Sequence, residues 1–245
     1  MKLALFADRE VGLAITKYLV ENFPEDLSLV VTKKSNEISS LANSNGVPTH
    51  VSKSKNLDIA NLKEAYDLGI LAWWPDLIGQ EVLDTAKHGF INTHPSLLPF
   101  NKGKHPNFWA IIEEVPFGVS IHKVKMEVDS GDILYQKEIL YGWSDNAESL
   151  YKRAIDEMIS LFIQKYPKIR KLELLGQPQV DCPTPPRLTS DFRSMSEVSL
   201  NSQVRVRDFL NLLRAKTFSG YPGLIFEESG IKFEVTVKIK QVDNQ

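Results

Sequence analysis

The sequence lacks the features that would place it in several large protein classes. Its one cysteine, Cys182, cannot form an internal disulfide, which excludes a disulfide-stapled secreted protein and favours the reducing cytoplasm. No apolar run approaches the ~18 residues that a membrane-spanning helix needs, so no membrane partner is expected. The apolar start at residues 1–7 is cut short by Asp8 and Arg9, which argues against a signal peptide.

Excess charge and ligand motifs are also missing. The 29 basic and 31 acidic residues give a net charge of −2, which gives no reason to expect a nucleic-acid partner. The five histidines are scattered and cysteine pairs are absent, so no metal site is expected. No G-x-G-x-x-G follows the first apolar run, which disfavours a dinucleotide cofactor.

Short apolar runs alternate with segments of helical periodicity. Residues 2–7, 27–32 and 68–73 read as strands, and Val11, Ile15 and Leu19 follow the first of them at helical spacing. A weaker stretch at residues 58–66 also reads as a helix. This alternation predicts an α/β fold, a Rossmann-like, mostly parallel sheet with helices on both faces.

The character of the chain changes near its C-terminus, and we expect two domains, residues 1–185 and residues 186–245. A capping-box pattern at residues 145–148 opens a long amphipathic helix, and the prolines from Pro167 to about residue 191 indicate a linker or an extension wrapped on the domain. Residues 204–217 read as a helix, and alternating apolar residues around Ser229-Gly230 as a β-hairpin. Because a lone hairpin is only marginally stable, this small helix and hairpin unit should pack on the first domain or on a second subunit.

The chemistry of the sequence is concentrated where a buried strand ends. Asn92 and His94 are two residues apart, so on an extended segment their side chains point to the same side. An amide can hold a developing oxyanion and an imidazole can move a proton near neutral pH. Asp129, in a predicted turn, can orient that imidazole. Taken singly, each of these residues also fits an ordinary turn.

A polar, glycine-containing stretch follows, made of Asn101, Lys102, Gly103, Lys104 and His105, and it fits a substrate-binding loop. Its two lysines are either solvated or placed to meet a phosphorylated substrate. Near the C-terminus, Tyr221 or Phe218 can stack on a base or simply pack.

Three strings together are specific: residues 92–99, Asn-Thr-His-Pro-Ser-Leu-Leu-Pro; residues 118–123, Gly-Val-Ser-Ile-His-Lys; and residues 128–133, Val-Asp-Ser-Gly-Asp-Ile. They closely resemble the folate-dependent formyltransferases. The resemblance implies 10-formyltetrahydrofolate as formyl donor, without a metal, and implies that Asn92, His94 and Asp129 are catalytic. The family pattern selects Asp129 rather than Asp132, because the essential acid precedes a small residue and a glycine.

Within that family, the chain looks most like the sugar-nucleotide N-formyltransferases. That branch implies a nucleotide-linked amino-dideoxy sugar such as dTDP-4-amino-4,6-dideoxyglucose as acceptor, a role in O-antigen or surface polysaccharide synthesis, and a homodimer. The family also places Trp73, Trp74, Pro75 and Ile78 at the pterin pocket, with one tryptophan lining it and the other packing. Open alternatives are another small amine such as glycinamide ribonucleotide, a formyltetrahydrofolate hydrolase, and a non-catalytic binding protein.

Overall fold

The computed structural model describes residues 1–52, 65–180 and 185–242. Its strands are β1 (Leu3–Ala7), β2 (Leu27–Thr32), β3 (Thr49–Val51), β4 (Leu68–Ala72), β5 (Phe90–His94), β6 (Gly118–Lys123), β7 (Ile133–Glu138), β8 (Leu224–Glu228) and β9 (Ile231–Val235). Its helices are α1 (Arg9–Asn22), α2 (Glu37–Ser44), α3 (Gln80–Leu83), α4 (Pro106–Glu113), α5 (Ala147–Ile169), α6 (Thr189–Ser194) and α7 (Val206–Lys216).

The chain divides into two compact units whose boundaries interleave along the sequence. The first consists of Met1–His94, Ser120–Lys137 and Ile155–Gln179. The second consists of Pro95–Val119, Glu138–Ala154 and Val180–Gln245. The predicted division at residue 185 stays a prediction.

A seven-stranded sheet organises the first unit, in the order β3-β2-β1-β4-β5-β6-β7. The five strands from β3 to β5 pair in parallel, and β6 then runs antiparallel to β5. Every residue of β1 and of β4 is buried, which explains why both read as continuous apolar runs rather than alternating ones. The predicted Rossmann-like α/β fold is confirmed.

An aromatic cluster fills the core beneath the carboxyl ends of the central strands. Phe6 lies edge-on to Trp74 and to Phe90, with ring centroids 5.4 and 5.5 Å apart. Gly69 on β4 makes room for the Phe90 ring, since a Cβ there would lie 2.1 Å from a ring carbon. Such packing contributes roughly 1.5–3 kcal/mol for each fully buried large side chain and holds β1, β4 and β5 together.

The structure corrects three expectations about individual elements. The capping box that opens α5 is formed by Asn146 and Ser149, one residue later than predicted, with each side chain bonded to the other's backbone N–H. Pro167 lies inside α5, which continues to Ile169. The short helix α6 was not predicted at all. The helix expected at residues 58–66 lies mostly outside the described residues.

The second unit contains the predicted hairpin, β8 and β9. Ser229 and Gly230 have φ of +52° and +79°, the left-handed pair that a two-residue turn joining right-twisted strands requires. The rings of Phe226 and Phe233 stack across the strands with centroids 5.2 Å apart. Phe233 remains 43% exposed.

A buried lysine connects two helices of this second unit. The Lys216 ammonium lies 3.7 Å from the centroid of the Phe192 ring and donates to Ser196 Oγ at 2.7 Å. Burial lowers the pKa of Lys216 to about 8.

In the parts of the chain that the structure describes, no helix is long and apolar enough to cross a membrane.

A buried carboxylate ties the start of the first unit to the end of α5. Asp26 is fully buried and accepts hydrogen bonds from Tyr166 Oη at 2.9 Å, Arg170 Nε at 2.5 Å and the Met1 amino group at 3.2 Å. Burial alone would raise the pKa of Asp26, but these hydrogen bonds outweigh it and hold the pKa below its ordinary value.

We expect Asp26→Asn to lower the free energy of unfolding by about 2 kcal/mol at neutral pH, because it removes the buried negative charge that pairs with both Arg170 and the Met1 amino group. Since the folded-state pKa of Asp26 is depressed, its stabilisation is complete above about pH 4 and is lost as the pH falls through the folded value. Urea unfolding between about pH 7 and about pH 3 measures both effects.

The matched control is Glu25→Gln, which removes an exposed carboxylate 2.7 Å from the same arginine. That change should cost less than about 0.5 kcal/mol. Equal losses from the two variants would contradict the role assigned to the Asp26 network.

Candidate active site

The end of β5 presents two polar side chains on the same side of the sheet. Asn92 and His94 pair with His122 and Ser120 on the antiparallel neighbour β6. Because side chains alternate along a strand, the alternate positions 92 and 94 project together, as the sequence predicted. His94 is 6% exposed and His122 2% exposed, so water has little access to either ring.

The turn between β6 and β7 brings a carboxylate back to this point. Asp129 has φ of +48°, a left-handed conformation that costs a residue with a side chain roughly 1 kcal/mol. Gly131 passes so close to the end of β6 that a Cβ there would lie 1.7 Å from the Lys123 carbonyl oxygen. The glycine of the Asp-Ser-Gly motif is therefore required by a close backbone approach.

Three side chains converge on the Asp129 carboxylate. Its Oδ2 lies 3.5 Å from His94 Nδ1, while its Oδ1 lies 3.5 Å from His122 Nε2 and 3.4 Å from Asn92 Nδ2. The three candidate catalytic residues Asn92, His94 and Asp129 are thus brought together in one place. The distances are longer than the 2.7–3.2 Å typical of firm hydrogen bonds.

His122 contacts Asn92 from the neighbouring strand β6. Its Nδ1 lies 2.8 Å from the Lys123 carbonyl oxygen, an acceptor, so Nδ1 carries a proton. In the neutral ring Nε2 is then an acceptor, and Asn92 Nδ2 donates to it at 3.2 Å. His122 therefore sets which way the Asn92 carboxamide faces.

The second acid of the turn is used elsewhere. Asp132 accepts a hydrogen bond from Lys125 Nζ at 2.9 Å, and this bond lowers the pKa of Asp132. The geometry therefore agrees with the choice of Asp129 over Asp132 as the acid next to the imidazole of His94.

The segment after β4 was expected to form a pterin pocket. Trp74 is 9% exposed and belongs to the aromatic core cluster with Phe6, and Ile78 packs against the same cluster. Trp73 is also buried, at 8% exposure, but adopts a left-handed φ of +53° as the chain leaves the strand. Trp74 is thus a packing residue, and Trp73 and Pro75 are the ones next to the strand end.

The predicted substrate loop lies in the second unit. Its alternate residues Asn101, Gly103 and His105 have positive φ values of +53°, +87° and +57°. Lys102 is half-buried and Lys104 is exposed. The loop is therefore a tight turn with a defined backbone conformation, in which each lysine lies between two residues of left-handed φ.

Two residues of this loop also have structural roles within the second unit. The amide of Asn101, only 5% exposed, lies 3.3 Å from both Glu113 Oε2 and the Ala110 backbone nitrogen. The His105 ring stacks on Phe192 with centroids 4.1 Å apart, so it is not a plain surface histidine.

Arg187 supports the same loop, and sequence reasoning missed it. Its backbone accepts from Lys104 and donates to Lys102 on either side of Gly103, where a Cβ would lie 2.4 Å from the Arg187 carbonyl oxygen. Its guanidinium lies 4.2 Å from the Trp109 ring centroid and pairs with Glu113. Nothing in the proline-rich sequence around Arg187 indicates that it bonds to the loop at residues 102–104.

Tyr221, the remaining predicted substrate residue, lies in the second unit. It is 65% exposed, and its ring lies edge-on to Phe218 with centroids 5.2 Å apart. Its exposure leaves it accessible to a ligand.

Gln179 is the second residue that sequence reasoning missed. Its Nε2 donates to the backbone carbonyl oxygens of Asp129 and Gly131, both at 2.7 Å. It lies in the stretch interpreted as a linker or a wrapped extension, where nothing in the local sequence indicates which long-range contact a glutamine makes.

The profile of a family described as Formyl transferase matches residues 10–165, which include the whole Asn92, His94 and Asp129 site. The chain belongs to the formyl transferase family. A second profile, described as N-formyltransferase dimerization C-terminal domain, matches residues 191–241. The resemblance read from the three sequence strings is confirmed, and the protein is a formyltransferase.

Similar proteins agree with this membership. The chain is 28% identical over 186 residues to the dTDP-4-amino-4,6-dideoxyglucose formyltransferase of Mycobacterium bovis, covering 74% of this chain and 77% of that one. A sugar N-formyltransferase from a Shewanella species shares the fold with a TM-score of 0.82 and 23% identity, over 99% of both chains. An N-formyltransferase from Helicobacter canadensis, solved with folinic acid and dTDP-3-aminofucose, has a TM-score of 0.74 at 17% identity, over 94% of this chain and 85% of that one.

The described part of this formyltransferase holds no group of three or more His, Cys, Asp or Glu side chains that could hold a metal ion.

We expect Gly131→Ala to lower the free energy of unfolding by about 1–3 kcal/mol, because the added methyl group overlaps the Lys123 carbonyl oxygen and must displace the turn. The same displacement should reduce formyl transfer, since it moves Asp129. Urea unfolding and initial rates measure the two effects.

Gly142→Ala serves as the control, because a Cβ there meets no atom within 4 Å. It should change stability by less than about 0.5 kcal/mol. A Gly131→Ala protein with unchanged stability and rate would show that the close approach is unimportant.

Proposed function

We propose that this formyltransferase moves a formyl group from 10-formyltetrahydrofolate to the amino group of a nucleotide-linked amino-dideoxy sugar, dTDP-4-amino-4,6-dideoxyglucose or a close analogue. The observation that carries the proposal is the convergence of Asn92, His94 and His122 on the Asp129 carboxylate. An amide donor, an imidazole and a carboxylate in one place are the groups that transfer of a one-carbon acyl unit to an amine requires.

The choice of acceptor rests on relatives rather than on the central site. The Mycobacterium bovis relative is named for dTDP-4-amino-4,6-dideoxyglucose, and the Helicobacter canadensis structure contains a dTDP-amino sugar. We infer the same class of acceptor here, and with it a place in O-antigen or surface polysaccharide synthesis.

Each residue of the site has a distinct task in the proposed mechanism. When bound, 10-formyltetrahydrofolate supplies an electrophilic formyl carbon, and the acceptor amine forms the new C–N bond to it. The Asn92 amide donates to the formyl oxygen as negative charge develops there. His94 takes the proton that the attacking nitrogen loses and gives it to the leaving N10 nitrogen as the bond from the formyl carbon to N10 breaks, which releases tetrahydrofolate; Asp129 stabilises the imidazolium in between.

Asn92 can take up this task at low cost. Its Nδ2 makes one contact of 3.2 Å to His122 and a longer one of 3.4 Å to Asp129. The longer contact is the weaker one, so a carbonyl oxygen in the site can replace it while His122 keeps the amide oriented.

The donor set fits a folate-borne formyl group, since it pairs an amide donor with a proton acceptor. We propose that Trp73, Trp74, Pro75 and Ile78 form one wall of the folate site. These residues follow β4. In the order β3-β2-β1-β4-β5, the strands succeed one another to one side from β1 and to the other side from β4, so the order reverses between β1 and β4. Open α/β sheets bind ligands at such a reversal. Trp73, next to the strand end, would line the site, while Trp74 supports it from the core.

For the nucleotide sugar we propose the loop of the second unit. Lys102 and Lys104 would meet the diphosphate, because lysine ammonium groups beside a glycine bind phosphate oxygens well. Asn101 and His105 would shape the loop around Gly103, and the exposed ring of Tyr221 would stack on the base.

The C-terminal unit, residues 186–245, would join two copies of the chain, while residues 1–185 form the catalytic domain. The hairpin leaves Ile231 59% and Phe233 43% exposed on one face, beside the edge of a two-stranded sheet. Such a face and edge favour pairing with an identical surface.

Initial-rate assays of tetrahydrofolate release, with and without dTDP-amino sugars, test the reaction. We expect release to require the sugar. Asn92→Ala should lower kcat by ~10²–10³-fold through loss of the oxyanion donor. His94→Ala should lower it by ~10²–10⁴-fold through loss of the proton acceptor. Asp129→Asn should lower kcat by the same ~10²–10⁴-fold, because His94 loses the carboxylate that stabilises its charged form.

The outcomes separate the rival functions. Release without an amine would indicate a hydrolase, release only with glycinamide ribonucleotide would reassign the acceptor, and no release with any amine would leave a binding protein. Exposed Lys125→Gln, which removes the partner of Asp132 rather than of Asp129, is the control and should retain the parental rate.

Phe233→Glu should convert the dimer to a monomer, because it places a charge in the apolar face of the hairpin. Sedimentation equilibrium measures the mass. Lys232→Gln changes the neighbouring residue, which points to the other side of the strand, and should leave the dimer intact. A parental chain that sediments as a monomer would overturn the assembly.

A further inference from the structure

Gln179 reaches back from the segment after α5 to the turn that carries Asp129. Its side-chain nitrogen donates two hydrogen bonds of 2.7 Å, one to the Asp129 carbonyl oxygen and one to the Gly131 carbonyl oxygen. One amide group therefore bridges both ends of the three-residue turn. All of these residues belong to the first unit.

The turn needs such a bridge. Asp129 is held at a φ of +48°, in the left-handed region that an aspartate adopts where local hydrogen bonds support it. A strained backbone persists only where surrounding contacts determine it. Two short hydrogen bonds from one amide hold both ends of the turn and so support the Asp129 backbone in this conformation.

The side chain of Asp129 is sensitive to small shifts of this backbone. Its contacts to Asn92 Nδ2 and His94 Nδ1 are 3.4 and 3.5 Å long, at the limit of useful hydrogen bonding. A displacement of about 1 Å would remove both, and misplacement on that scale costs as much as ~10²-fold in rate.

The segment that carries Gln179 is itself anchored to the sheet. Gln177 exchanges two backbone hydrogen bonds, of 2.8 and 2.9 Å, with Ile133 at the start of β7. Gly176 packs against Asp132, since a Cβ there would lie 2.7 Å from the Asp132 Cβ. Gln179 therefore extends from a fixed strand-like stretch rather than from a free linker.

We propose that Gln179 is a positioning residue for formyl transfer: by clamping the carbonyl groups of Asp129 and Gly131, it holds the Asp129 carboxylate against Asn92 and His94. This inference rests on the proposed catalytic role of Asp129. Both of the Gln179 hydrogen bonds go to backbone carbonyl groups of the turn, so its proposed task is positioning rather than proton transfer.

The test compares variants of the full-length protein in the formyl-transfer assay. Gln179→Met keeps the length of the side chain but removes both donors, and Gln179→Glu keeps its shape but puts an acceptor against two carbonyl oxygens. We expect kcat to fall ~10-fold or more in both, with the KM for 10-formyltetrahydrofolate within about 3-fold of the parental value. Gln179→Lys, which retains N–H donors at a similar reach, should recover part of the loss.

Gln177→Met is the matched control. The side chain of Gln177 is exposed, and the contacts to Ile133 use only its backbone, so this variant should keep the parental kcat.

A double-mutant cycle distinguishes positioning from a merely structural role. In an Asp129→Asn background, Gln179→Met should lower kcat by less than about 2-fold further, because the carboxylate it positions is already gone. Equal losses in both backgrounds, or a folded Gln179→Lys as impaired as Gln179→Met, would overturn the proposal. So would parental kcat in Gln179→Met or Gln179→Glu.

Failure of the proposal is separable from failure of the proposed function. If Asp129→Asn itself keeps the parental rate, the catalytic assignment of Asp129 is wrong and Gln179 has nothing to position. If Asp129→Asn is impaired while Gln179→Met is not, only the inference about Gln179 falls. Melting temperatures of all variants show that each is folded at the assay temperature.

Discussion

The site depends on one close backbone approach, that of Gly131 to the Lys123 carbonyl oxygen at the end of β6. The same carbonyl oxygen accepts a hydrogen bond from His122 Nδ1 at 2.8 Å. It therefore leaves room only for glycine at position 131 and keeps the His122 proton on Nδ1. The glycine lets the turn fold back tightly enough to place Asp129 beside the strand ends. The tautomer gives Asn92 an acceptor for its amide. Through one peptide group, both the acid and the amide of the site are put in place.

The sheet explains why this arrangement can be held. Asn92 and His94 project from a strand that is paired on both sides and that packs through Phe90 into the aromatic cluster. Asp129, by contrast, stands on a turn in a strained conformation. Asn92 and His94 are therefore held by the sheet. The position of Asp129 depends instead on Gly131 within its own turn and on Gln179, which bonds to that turn. Support of a turn by surrounding contacts is how precise geometry is held where a site stands partly on a loop.

The two units divide the proposed work differently. The first contains the groups suited to acyl transfer, whereas the second contains the loop with Lys102 and Lys104 and the hairpin expected to join two subunits. That loop is braced from within its own unit, by Arg187 along Gly103 and by Phe192 under His105. Elements of the C-terminal stretch thus shape the proposed acceptor loop as well as the proposed interface.

Local physics made much of the molecule predictable from the sequence. Continuous apolar runs imply buried parallel strands, alternation around Ser229-Gly230 implies a hairpin, and the two-residue spacing of Asn92 and His94 puts them on one side of a strand, because these patterns follow from the backbone repeat. The contacts of Gln179 and Arg187, the packing role of Trp74 and the tautomer of His122 were decided only by the tertiary structure. Each depends on which distant backbone carbonyl or ring lies within about 3 to 5 Å, and no local pattern encodes that distance.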